Sequence, residues 1–211
     1  VTTSGPPVLR LVPALPASDK ALCDAFLAGD RAAFGVLVRR YQEPVFRVVR
    51  RYAGSVDEAK DLVQRAFLQA FEAAQRTLPR LAATPGESAF KAWLFRIAVN
   101  LGKNQARDGA RWATVPLETS ADALSRPADA LEALERAEAE ALTRLAVERL
   151  PPRQREVFSL RVDAALPFAD VAEVLGISEG NAKSHFHYAV KRLRAEVHAL
   201  ASANPRAKER P

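Results

Sequence analysis

Apolar residues recur at steps of three and four along most of the chain, the spacing that lays one stripe down a helix. Ala25, Phe26, Phe34, Leu37, Val38, Tyr41, Val45, Val48, Val49 and Tyr52 follow it in the first quarter. Gly29-Asp30 reads as the end of one helix and the start of the next, and Pro44 predicts a kink or a break. Ser55 or Asp57 can cap a helix from Asp57 to Gln75, whose buried face is Ala59, Leu62, Val63, Ala66, Phe67, Ala70 and Phe71. Thr77 to Ser88 contains Pro79, Pro85 and Gly86 and is expected to be a loop. A further helix is expected from Ala89 to Asp108, with Phe90, Trp93, Leu94, Ile97, Ala98 and Leu101 as its apolar stripe.

The pattern then lapses. Residues 112–129 are rich in Ser, Pro, Thr and Ala, carry Glu118, Asp122 and Asp129, and read as an acidic flexible linker. Helical periodicity returns over residues 130–200, where Pro151-Pro152 divides one helix from the next. A Pro-rich leader (residues 1–18) and a basic tail (201–211) complete the chain and are expected to be disordered or frayed. The expected fold class is all-α, two small helical domains (19–111 and 130–200) on a flexible linker.

The stretch from Phe168 to Tyr188 has the local chemistry of a helix-turn-helix. Ala172 is small where two helices must cross, Gly176 can take the left-handed conformation that ends the first, and Ile177 plugs the corner. Ser178 is a good N-cap for the second helix, in which Ala182, Phe186, Ala189 and Leu193 form a buried stripe. The opposite side offers Asn181, Lys183, Ser184, His187, Lys191 and Arg194, donors able to reach base edges and phosphates. A two-helix corner with a solvated basic face is the plainer reading of the same residues. His185 and His187, two apart on a helix, point in different directions and do not suggest a metal site.

Two N-terminal faces are also candidates. Asp61, Gln64, Arg65, Leu68 and Glu72 line the outer side of the helix from Asp57, where an exposed leucine among polar groups hints at a protein contact. Arg96, Asn100, Lys103, Asn104, Arg107 and Arg111 occupy the outer side of the helix from Ala89. Asparagine is a mediocre helix former, and two of them four apart beside cations suit hydrogen bonding to bases with neutralisation of phosphates. The Pro/Gly loop before that helix could shape a pocket for an unstacked base.

Charge agrees with a polyanionic partner without requiring one: 31 Lys+Arg against 25 Asp+Glu in 211 residues give +6. The single cysteine, Cys23, excludes an internal disulfide framework. No apolar run approaches the ~20 residues of a membrane span, so membrane insertion is not expected and a cytoplasmic location is the default. No Ser-His-Asp set, metal cluster or phosphate loop is recognisable, so neither catalytic residues nor a cofactor are expected.

Four blocks, in order, carry a family resemblance. They are Phe34-Gly-Val-Leu-Val-Arg-Arg-Tyr-Gln, Asp61-Leu-Val-Gln-Arg-Ala-Phe-Leu, Phe90-Lys-Ala-Trp-Leu-Phe-Arg-Ile-Ala-Val-Asn, and Leu150-Pro-Pro-Arg-Gln-Arg-Glu-Val-Phe with the helix-turn-helix. Together they resemble the sigma-70 family of RNA polymerase initiation factors, in its small extracytoplasmic-function group, from Ala25 to about Leu200. The resemblance implies that Asp61, Gln64, Arg65 and Leu68 dock on the clamp helices of core polymerase, with further contact to its flap. Where the family usually has an acidic residue after that glutamine, this sequence has Arg65.

It also implies that Phe90, Arg96, Asn100, Lys103, Asn104, Arg107 and Arg111 melt and read the minus-ten element. The loop over 77–88 looks longer than usual for the family. Ser178, Asn181, Lys183, Ser184, His187, Tyr188 and Lys191 would read the minus-thirty-five element as duplex. Arginine is frequent in the family where this chain has His185, Tyr188 and Val190, which implies a weaker phosphate grip or a different preferred sequence. The linker would be the connector through the polymerase cleft, displaced by growing RNA of like charge. An anti-sigma partner is implied too, the chain being a monomer when free or a heterodimer with it. Two rivals remain: a dimeric helix-turn-helix repressor or activator on a palindromic site, and an enzyme on a helical bundle.

Overall fold

The computed structural model describes residues 18–82, 89–109 and 141–203, all of whose regular structure is helical. The leader, the linker, Arg111 and the tail beyond residue 203 lie outside these residues. Helix α1 (Asp19–Leu27) is capped by Ser18, whose hydroxyl accepts from the Ala21 amide at 3.2 Å. Gly29, at φ +105°, makes the turn, and the Asp30 carboxylate caps α2 (Arg31–Val49) by accepting from the Ala32 amide at 2.9 Å.

Pro44 does not break α2. A proline inside a helix costs about 3 kcal/mol, but Tyr41, Val45, Val48 and Val49 around it are buried, each contributing about 1.5–3 kcal/mol. The same reason corrects the next expectation. Helix α3 (Val56–Ala82) continues through Thr77–Ala82 with Pro79 inside it, because Leu78 is fully buried and Leu81 packs on the core. Residues 83–88, the remainder of the expected loop, are not among the described residues. The start of α3 is a capping box: Ser55 Oγ accepts from the Glu58 amide at 3.1 Å, while Glu58 reaches back to accept from the Gly54 amide at 2.7 Å. Phe71, expected inside, is 38% exposed, yet its ring meets Phe26 and Phe34 edge-on with centroids 5.6 and 5.2 Å apart.

Helix α4 (Ala89–Gly109) completes the N-terminal bundle. The second bundle contains a helical segment over 141–148 (α5), α6 (Pro152–Val162) with proline in its first turn, α7 (Phe168–Leu175) and α8 (Glu179–Ala203). Ala146, Val147 and Leu150 pack with Ala189 and Leu193 to hold α8 against the segment before α6.

The two bundles do not stand apart. Helix α4 packs on α7 and α2 packs on α6. Phe95 and Val99 of α4 share one continuous core with Val157, Leu160, Leu166, Val171 and Leu175. The expected stripe of α4 is thus only half of its buried surface. Ala92, Phe95, Val99 and Gly102, at steps of three, four and three, form a second seam, all of them buried.

Candidate nucleic-acid and polymerase interface

Three exposed polar faces carry the candidate residues. On α3, Asp61, Gln64 and Arg65 are exposed and Leu68 is 57% exposed, while Leu62, Ala66, Phe67 and Ala70 behind them are buried. Asp61, Gln64 and Arg65 line a shallow depression of about 190 Å³ between α3 and α4, with Glu58, Leu62 and Gln105. Arg65 Nη1 donates to Gln105 Oε1 across it at 3.5 Å, so this cation points to α4 rather than to a neighbouring acid on its own helix.

On α4, Arg96, Asn100, Asn104 and Arg107 are exposed and Lys103 is half-buried. Arg107 Nη2 donates to Asn104 Oδ1 at 3.2 Å, which orients that amide beside a cation. Phe90 departs from expectation. It is 3% exposed and packed between Tyr41 and Trp93, at centroid distances of 5.9 and 5.8 Å, so its ring has no open face for a base. Its apolar neighbours in the core outcompete any exposed role; Phe90 positions the start of α4.

The helix-turn-helix follows its sequence closely. Gly176 takes the left-handed conformation (φ 64°, ψ 42°), its amide bonded to carbonyls of α7. Ser178 Oγ accepts from the Asn181 amide at 3.1 Å and so fixes the first turn of α8. Ala182 and Ala189 are fully buried and Leu193 nearly so, which forces Asn181, Lys183, Ser184, His187, Tyr188 and Lys191 outward, all exposed. Phe186 fills the corner between Phe158 and Phe168, with centroids 6.0 and 5.5 Å away. Lys183 pairs with Glu179 at 2.7 Å, an exposed i,i+4 pair weak enough to yield to a phosphate. The edge of the His187–Tyr188 ring pair, 5.7 Å between centroids, stands on the same outer face.

Comparison with known proteins bears on these faces together. The family profile described as Sigma-70 region 2 matches residues 37–112, and that described as Sigma-70, region 4 matches residues 140–193. The chain is 32% identical over 174 residues to the RNA polymerase sigma-H factor of Pseudomonas aeruginosa, covering 79% of this chain and 86% of that one. It is 31% identical over 195 residues to the ECF RNA polymerase sigma-E factor of Escherichia coli, covering 87% and 96%. The chain belongs to the sigma-70 family, in its extracytoplasmic-function group. It is a promoter-specificity factor of transcription initiation.

Among solved structures, CnrH in complex with the cytosolic domain of CnrY is similar at TM-score 0.57 and 25% identity, covering 89% of this sigma factor and 99% of that chain. The sigma factor RpoE of Bartonella quintana, solved with the anti-sigma factor NepR, shares the fold at TM-score 0.56 and 24% identity, over 74% and 92% of the two chains. Region 2 of this sigma factor therefore runs from within α2 through α4, and region 4 comprises α5 to α8.

Several residues at the junction of the two regions escaped the sequence reading. Arg51, in the turn after α2, donates through Nε to Ser159 Oγ at 2.7 Å and through Nη2 to Asp163 Oδ2 at 2.6 Å. Ser159 donates in turn to Asp163 at 2.7 Å. Tyr52 donates to Glu156 Oε1 at 3.1 Å, and burial, followed by the nearby Glu156 charge, raises its phenol pKa well above the ordinary range. Gly102 is the visible signal: a lone glycine inside a helix costs about 1 kcal/mol and asks for a packing reason. A Cβ there would sit 2.5 Å from the Tyr52 ring. Cys23 and Tyr41, both buried in the N-terminal bundle, are inert by the same physics; burial pushes the Cys23 thiol up to about 12. No helix among the described residues is long and apolar enough to cross a membrane.

Proposed function

We propose that this sigma factor brings core RNA polymerase to its promoters with three separate surfaces. The outer face of α3, with Asp61, Gln64, Arg65 and Leu68, docks on the polymerase clamp helices, and region 4 meets the flap. Arg96, Asn100, Lys103, Asn104, Arg107 and Arg111 on and after α4 hold the separated minus-ten strand. Ser178, Asn181, Lys183, Ser184, His187, Tyr188 and Lys191 read the minus-thirty-five element as duplex. No bond is made or broken by this chain; binding energy from the modules offsets strand separation, and the domain boundaries are those expected above. The factor works in the cytoplasm, as a monomer when free or a heterodimer with an anti-sigma protein. CnrH, solved with a CnrY domain on it, supports such a partner.

The observation that carries this reading is the sidedness of α8. Its small and apolar residues are buried, its donors face outward near a capped N-terminus, and the helix is long enough (25 residues) to lie in a major groove. Footprinting of polymerase reconstituted with this factor tests it. Protection is expected over both promoter elements, and Lys183→Ala is expected to reduce it upstream only. An upstream footprint identical to wild type would refute the placement of α8.

A further inference from the structure

Helix α8 is longer than the reading of one groove requires. The duplex-reading set ends at Lys191, whereas α8 runs on to Ala203, roughly 18 Å further. The start of this second half is held firmly. Ala189 and Leu193 are buried against Ala146, Val147 and Leu150, in and just after α5, and Val197 packs beside them. The carboxylate of this half is drawn aside, because Glu196 accepts from Arg149 Nη1 at 3.1 Å. Lys191, Arg192 and Arg194 are exposed, and none of the three pairs with a carboxylate among the described residues. The outer surface here is cationic.

These cations are split between two flanks. At about 100° per residue, Arg192 and Arg194 leave α8 roughly 160° apart, with Lys191 between them and the Ala189–Leu193 line behind. The flanks continue those of the first half: Lys183 and His187 share the Arg194 side, and Asn181 shares the Arg192 side. A helix is about 10–12 Å across and the major groove about 12 Å wide. A helix seated in the groove therefore fills it, and its two flanks abut the two sugar-phosphate strands.

We infer that the second half of α8 is a separate phosphate-binding site that straddles the groove: Arg194 grips one strand of the upstream duplex and Arg192 grips the other. The inference rests on the seating of the first half of α8 in that groove. Ser184 and Arg194 are roughly 15 Å apart along the helix, so the gripped phosphates lie within about four base pairs of the bases being read. Guanidinium forks match phosphate oxygens and stay charged at every working pH. Phosphates carry no base identity, so this site adds grip and fixes register without adding preference for a sequence. Because α5 buries the back of α8, the two arginines are presented before DNA arrives.

The test uses holoenzyme reconstituted from core polymerase and the full chain, bound to promoter duplex in the cold, where the strands stay paired. Phosphates whose ethylation blocks binding are mapped on each strand. Arg194→Ala is expected to abolish upstream interference on one strand only, and Arg192→Ala on the other only. The slope of log affinity against log salt should become shallower by about 0.9 for each substitution and by about 1.8 for both. Arg192→Lys and Arg194→Lys keep the charge and should restore the slope. The losses should be equal on promoters whose minus-thirty-five bases differ. Both side chains are exposed and alanine keeps the helix, so folding is not at stake.

Unchanged interference and slope in the double variant, while Lys183→Ala still reduces upstream protection, would overturn the phosphate site and leave the seating of α8 standing. Upstream protection indifferent to Lys183→Ala would overturn the seating itself. Losses confined to one strand for both arginines would refute the straddling arrangement. Weaker binding to core polymerase without DNA, at an unchanged salt slope on DNA, would assign Arg192 and Arg194 to a protein contact and equally overturn the inference.

Discussion

Replacing Leu68 with alanine separates docking from folding. Leu68 stands 57% exposed on α3 beside Gln64 and Arg65, with its backbone held by the buried Ala66, Phe67 and Ala70. The substitution removes three carbons, worth about 2.4 kcal/mol if all were transferred from water to an apolar site. Little more than half of that surface is still open in the free chain, so about 1.4 kcal/mol is left to gain on docking, or roughly tenfold in Kd. By the same arithmetic the part already covered in the free chain is worth about 1 kcal/mol to folding, offset slightly by the better helix propensity of alanine. Fluorescence anisotropy of the labelled factor titrated with sigma-free core polymerase gives the first quantity, and thermal melting gives the second. A tenfold weaker complex is expected, with a melting temperature lower by only about 2–4 °C and a chain still fully folded at the assay temperature. Unchanged affinity would refute the docking face; a chain unfolded at the assay temperature would show that Leu68 is structural.

Asn100→Ala with Asn104→Ala should impair promoter opening far more than duplex binding, since both amides stand on the exposed side of α4; thymine reactivity to permanganate across the minus-ten element checks it, and wild-type reactivity would contradict it. Tyr41 and Tyr52 are held neutral, first by burial and then by Asp19 and Glu156 respectively. Because their folded pKa values lie above the unfolded value of about 10, the stability they contribute is complete below pH ~10 and is lost as pH rises beyond it. In a Tyr188→Phe background, which removes the exposed third tyrosine, phenolate absorbance should therefore appear together with loss of helical circular dichroism, and an earlier, separate rise would contradict their burial. Cys23, pushed up to about 12 by burial, should resist iodoacetamide at pH 8 in the native chain and react in denaturant; prompt native labelling would contradict its placement.

Local rules made most of the elements legible. The Gly176 and Ser178 pair announces the turn between α7 and α8, and both take the roles their chemistry suggests. Prolines misled, because local propensity was weighed without the burial around it. Pro44 and Pro79 each sit beside fully buried side chains whose packing outweighs one lost hydrogen bond. Phe90 misled in another way: the family resemblance implied a minus-ten role for it, whereas its place in the apolar stripe of α4 already pointed inward, where Tyr41 and Trp93 close on it.

The junction of the two regions was the least legible part. Its contacts join residues far apart in the chain, 112 positions between Arg51 and Asp163, and no periodicity relates them. Two hints were nonetheless present. Ala92, Phe95, Val99 and Gly102 give α4 a second apolar stripe, and Gly102 is a small residue where nothing local requires one. A helix with two buried faces has two partners, and here the second partner is region 4.

The central claim is that the three polar faces act together on one polymerase and one promoter. Run-off transcription by sigma-free core enzyme, supplied with the purified chain and fragments of its own genome, tests it most directly. Discrete transcripts that begin at fixed start sites, and vanish when the chain is omitted, are the predicted result. Transcripts without defined starts, or none above the level of core enzyme alone, would contradict it.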